Sequence, residues 1–185
     1  MATEALKSAS ITNQDAFPTV NPTTGEGATG PLQSVNDYAT STSGVTVGST
    51  YRLCRIPTNA KVKRVLLTCA AHGGSAAFDI NVAHSDDTTD GTPPNLQGNI
   101  PQIAAADNKL FGAAVSAVSA LKHSDVTFNN TFTSAHKNLP LYQVLINLGV
   151  TTFTTDPGGF FDILLKSTQT DTSGGNLEVE VDYVV

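Results

Sequence analysis

Charge is scarce in this sequence. Only 14% of its residues are charged, against about a quarter in an average soluble domain. Tryptophan is absent, and with it the broad aromatic platform on which sugar-binding clefts lean. Cysteine occurs twice, as Cys54 and Cys69, too few to staple a chain of 185 residues. Each lies in an apolar run, so both are expected to be buried free thiols. No apolar run approaches the 18 or so residues of a membrane-spanning helix. The opening MATEALKSASITNQDAF lacks a basic start followed by an apolar stretch, so no signal peptide is expected. Ten basic residues stand against 16 acidic ones, for a net charge of −6. That balance opposes nucleic-acid binding, which needs clustered Lys and Arg to neutralise phosphates.

The missing charge is replaced by small polar residues. Threonine alone occurs 25 times, and its branched Cβ favours strands. The few charges are unevenly placed. Arg52, Arg55, Lys61, Lys63 and Arg64 make up five of the ten basic residues, while Glu178, Glu180 and Asp182 alternate near the C-terminus. Solvated sheet faces are one reading of such runs; pairing with neighbouring copies or with another protein surface is the sharper one.

Residues 1–33 keep neither helical nor strand periodicity, and Pro18, Pro22 and Pro31 interrupt any ladder. Two readings compete for them, a disordered tail or an extended N-terminal arm that becomes ordered on a partner, with Phe17, Val20 and Leu32 as candidate anchors of the arm. Residues 34–185 are read as one domain. Strands are expected at Ser34–Thr42, briefly at Val45–Val47, then at Ser49–Ile56, Lys61–Ala71 and Ala76–His84. Period-2 alternation puts Val65, Leu67 and Cys69 on one face with Lys61 and Lys63, and makes Phe78, Ile80 and Val82 the inner face of a half-buried strand. A polar loop follows at 85–107. Lys109–Leu121 is Ala-rich enough for a helical turn or two, and Val126–Thr133 returns to strand. Leu141, Val144, Leu145 and Leu148 predict a helix within Ser134–Leu148, starting near Leu139 with Pro140 in its first turn and Gly149 past its end. Phe160–Ser167 and Leu177–Val185 are expected to pair as a hairpin. About seven strands with Gly and Pro turns predict an all-β fold: an antiparallel β-sandwich, jelly-roll-like, with one short helix.

Catalytic patterns are missing. There is no Gly-x-Ser-x-Gly elbow to give His72-Gly73-Gly74 a hydrolase context, and no phosphate-binding loop. His72, His84, His123 and His136 lack metal-ligand spacing and read as turn or surface residues. Asp86, Thr88 and Asp90 begin like a calcium loop, but Gln97 stands where the bidentate Glu belongs. Glu178, Glu180 and Asp182 lie on one strand, without the facing cleft that paired catalytic carboxylates need. No enzyme activity, cofactor or metal is expected.

Three segments carry a resemblance: Leu139–Gly149 (LPLYQVLINLG), Thr154–Ile163 (TTDPGGFFDI) and Gly174–Val184 (GGNLEVEVDYV). Together with Ser49–Lys63 they resemble small virion structural proteins of tailed bacteriophages, over roughly residues 49–185. The resemblance implies a sandwich present in many copies on the phage head and carries over no active site. The expected function is a capsid cement or decoration protein, made in the host cytoplasm and located on the capsid surface of the virion. Its expected partners are the major capsid protein and copies of itself, as a trimer or dimer, with no nucleic acid and no membrane. A head-fibre base, a tail protein or a carbohydrate-binding module for host attachment are the alternatives. The expected capsid-binding residues are Phe17, Val20, Leu32, Arg52, Arg55, Lys61, Lys63 and Arg64.

Overall fold

The computed structural model describes residues 31–84, 108–151 and 153–185. Phe17 and Val20, the expected polar loop and the partial calcium loop at Asp86–Asp90 lie outside them. The described residues form eight strands: β1 (Gln33–Ser41), β2 (Thr50–Pro57), β3 (Lys61–Cys69), β4 (Ala77–His84), β5 (Gly112–Ser116), β6 (Leu121–Asp125), β7 (Phe160–Ser167) and β8 (Gly175–Val184). They make two four-stranded antiparallel sheets, sheet I in the order β1-β8-β3-β6 and sheet II in the order β2-β7-β4-β5. First pairs with last, second with seventh, third with sixth and fourth with fifth, which is the winding of a jelly roll. The expected sandwich is therefore observed.

The core lies between the sheets. Val62, Val65, Leu67, Leu177, Val179 and Val181 from sheet I meet Ile56, Phe78, Ile80, Phe161, Ile163 and Leu165 from sheet II, all 0–1% exposed. Both free cysteines are buried, as their apolar runs predict. The Cys54 thiol donates to the carbonyl of Val179 at 3.0 Å, and burial, with smaller effects of nearby carboxylates, pushes its pKa up to about 12.

Several local expectations are overturned. Strands β7 and β8 do not form a hairpin; they belong to opposite sheets. Each has one apolar face, and the two faces meet across the core instead of lying side by side. The alternation in β3 breaks at a bulge between Val62 and Arg64. The extra residue flips the phase, so Val62, not Lys61 or Lys63, joins Val65 and Leu67 inside. Strand β4 is buried on both faces, not one: Asp79 accepts from the Ala114 N–H at 2.7 Å and Asn81 from the Lys109 N–H at 2.6 Å.

Those contacts hold Lys109 and the edge strand β5 (Gly112–Ser116) against β4, so sheet pairing overrides the helical preference of the alanines. The strand expected at Val126–Thr133 is a turn, where Thr127 folds back on the Asp125 carboxylate; strand β6 instead precedes it. Val45 makes a single bridge to Asp171 rather than a strand. The helix α1 is shorter than expected, Leu141–Asn147, with Pro140 as its N-cap and a 3-10 turn at Ser134–Asn138 before it. Gly149, at φ 66°, ends it as expected.

Candidate functional site

The structure divides the basic cluster between the sheets. Arg52 and Arg55 stand on the outer face of edge strand β2 and both grip Asp162 of β7. Arg55 binds it through two nitrogens, at 2.7 and 2.9 Å, and Arg52 through one at 3.0 Å. Asp162 is buried, so the pair pins β2 to β7 beside the bulge that separates Arg52 from Cys54. These two arginines are thus occupied in holding sheet II together, although 57% of the Arg55 side chain stays exposed.

Lys61, Lys63 and Arg64 sit at the opening of β3 in sheet I. Arg64 pairs with the buried Asp182 carboxylate at 2.8 Å. Lys63 occupies the bulge and donates to the Lys137 carbonyl at 2.7 Å. Burial lowers the Lys63 pKa, and the charges of Lys61 and Lys137 lower it further. The Lys137 ammonium lies 4.6 Å above the ring of Phe128, which is half exposed. Leu32 belongs to the same end, since Gln33 pairs with Tyr183 and Tyr183 with Val62. It is 63% exposed. The fold therefore gathers Leu32, Lys61, Lys63 and Arg64 at one end, and adds Lys137 and Phe128, which their spacing in sequence did not reveal.

The outer face of sheet I changes sign along its strands. Lys61 and Arg64 lie at one end. Farther along, Glu180 stands opposite Asn36 and Leu66, and Glu178 opposite Tyr38 and Thr68. Asp182 is neutralised by Arg64. Glu180 accepts from the Ser34 hydroxyl at 3.3 Å and lies 3.8 Å from the His123 ring. Tyr38 is 67% exposed. The acidic ladder is half-buried to buried rather than simply solvated.

A second polar centre was not foreseen. His72, expected as a turn or surface residue, and Asp171 are both buried. His72 Nδ1 lies 2.6 Å from the Asp171 carboxylate; since a carboxylate only accepts, that nitrogen carries the proton. The other ring nitrogen, Nε2, is buried with no hydrogen-bond partner among the described residues. Asp171 also accepts from the Ser41 hydroxyl and from the N–H groups of Ser173 and Gly174. Burial alone would raise its pKa, but these hydrogen bonds outweigh it and hold the carboxyl below the usual range. Backbone bridges from Val45 and Gly74 also meet at Asp171, so the residue is a hub for three loops. The signal in sequence was the polar-glycine turn Asp171–Gly175, whose Gly174, at φ 72°, leaves no room for a Cβ against the Ser41 carbonyl. His84 is likewise buried rather than at the surface, its ring against Phe161. His123 is exposed and His136 half-exposed.

No family model matches the chain, and no curated protein matches it in sequence. Among solved structures, a chain of the cyanophage Pam1 capsid asymmetric unit is similar. It is 15% identical with a TM-score of 0.40, covering 92% of this chain and 96% of that one.

Proposed function

We propose that the chain is a non-enzymatic structural protein of a phage particle, binding the assembled capsid shell as a cement or decoration protein. The observation that carries the reading is the open edge of β1. Among the described residues sheet I ends at this strand, with β8 as its sheet neighbour, so its outer edge can offer backbone donors and acceptors for strand addition by a shell protein. Leu32, at its start, and Tyr38, along it, present apolar surface beside that edge. The buried carboxylates support the structural part of the reading. Asp162, Asp171 and Asp182 are each bound by an Arg or His from another segment, and Asp79 faces Lys109 at 3.4 Å. Their chemistry serves to join strands and loops.

Cementing needs nothing more than preference for the assembled shell. A protein that binds only that state stabilises it by mass action, multiplied over many copies. The test is band density from a stained gel of purified virions. Copy numbers in the hundreds, comparable to the major capsid protein, are expected. A few copies per particle, or none, would overturn the proposal.

A further inference from the structure

We propose that the outer face of sheet I binds the same face of a second copy, about a two-fold axis that sets the lysine end of each copy on the glutamate end of the other. The face is bipolar. Lys61 and Arg64 occupy one end and Glu180 and Glu178 the other, and Lys63 and Lys137 extend the basic end around the bulge. From Lys61 to the row of Thr68 and Glu178 the strand runs about 20 Å. A two-fold axis in the plane of the face, crossing the strands between the rows of Asp182 and Glu180, exchanges these ends. A patch that changes sign along one direction is then complementary to itself, as an isologous contact requires.

The charges at the two ends are left for a partner. Among the described residues, Lys61, Lys137 and Glu178 lie in no ion pair; the Lys61–Lys63–Lys137 group gathers like charge that costs energy until an anion faces it. The Asp125 carboxylate, which feels the charges of Lys137 and Arg64, moderates that group in part. At the acidic end a groove of about 470 Å³, lined by Tyr38, Thr68, Leu121, Lys122 and Glu178, has room for a lysine stem; the charge of Lys122 opposes that stem, and the two carboxylates Glu178 and Glu180 stand against it. Tyr38, exposed on this face, supplies apolar area to bury.

Strands of nine, ten, nine and five residues, rising ~3.3 Å per residue and spaced by ~4.8 Å, offer roughly 500 Å² per partner. That is below the ~800 Å² of a standard stable interface, so the dimer is weak and sensitive to salt. This inference goes beyond capsid binding and is tested on the protein alone, so either can fail without the other.

The experiment is sedimentation velocity of the full chain at ~100 µM. The wild type is expected to dimerise at low ionic strength and to dissociate at ~0.5 M salt, where the screening length falls to about 4 Å. Lys61→Glu and Glu178→Lys are each expected to abolish the dimer. Mixing the two variants should restore it, because both contacts of the mixed dimer are then attractive, and a folding defect would not be rescued this way. A monomeric wild type at low salt, a trimer, variants that dimerise like wild type, or an inert mixture would each overturn the proposal. So would dimers that form only after residues 2–31 are deleted, which would assign the face to that segment.

Discussion

The Asp171 carboxylate accepts from His72, Ser41, Ser173 and Gly174, so replacing it disturbs three loops at once. Asp171→Asn keeps the shape but removes the charge and turns one acceptor into a donor facing donors. With the site fully buried, the expected cost is about 3 kcal/mol, read from urea unfolding near neutral pH. The pH dependence follows from the direction of the shift. Its pKa is depressed on folding, so the carboxylate's contribution is full above the unfolded value, about 4, and is lost as pH falls through the folded value. The gap between wild type and Asp171→Asn should therefore narrow below pH ~4. A gap that is small near neutrality, or that stays constant into acid, would show that Asp171 does not hold the loops through its charge.

At the level of elements, the bulge in β3 decides which residues face inward. Uninterrupted alternation puts Lys63 inside with Val65 and Val62 outside; the structure buries Val62 at 1% exposure and leaves Lys63 half-buried beside Lys137. Val62→Asp places an unpaired carboxylate in the core and is expected to cost more than about 4 kcal/mol or prevent folding. Lys63→Glu, whose side chain reaches outward, should stay within about 1 kcal/mol of wild type. The opposite ranking in thermal unfolding would restore the simple alternation. The same bulge shows where sequence reading stops. The apolar alternation of β4, the alternating acidic residues of β8 and the Gly149 helix stop were legible because each is a local signal. The bulge, the β5 edge and the separation of β7 from β8 were not, since each is settled by contacts far along the chain: Asp182 for the bulge, Asp79 for β5, the opposite sheet for the last pair. The candidate site was legible to the same extent. Clustering of positive charge was visible, but Asp162 and Asp182, which claim Arg52, Arg55 and Arg64, lie more than a hundred residues downstream.

Across the whole molecule the two ends of the domain are knit together. Strand β1 lies along β8, from Gln33 beside Tyr183 to Ser41 beside Gly175, and β8 in turn lies along β3. The eight strands of the described residues begin at Gln33, so the expected domain boundary near residue 33 can be tested by deleting residues 2–31. Deleting those residues should leave the β circular dichroism and the unfolding midpoint within error of the full chain, because the core formed by the described residues is retained whole. The same deletion should weaken binding to capsids that lack the protein. Fixing each residue of a segment costs about 1–2 kcal/mol, and a buried Phe, Val or Leu returns only about 1.5–3 kcal/mol. Phe17 and Val20 together with Leu32 therefore cannot carry an ordered arm of thirty residues, and main-chain pairing along an open strand edge has to supply the rest. Extending the deletion through residue 41 removes β1 and bares the edge of β8, so the domain itself should lose stability. Loss of the fold on deleting residues 2–31 would move the domain boundary; full capsid affinity after that deletion would leave the open edge of β1, without the arm, as the attachment surface.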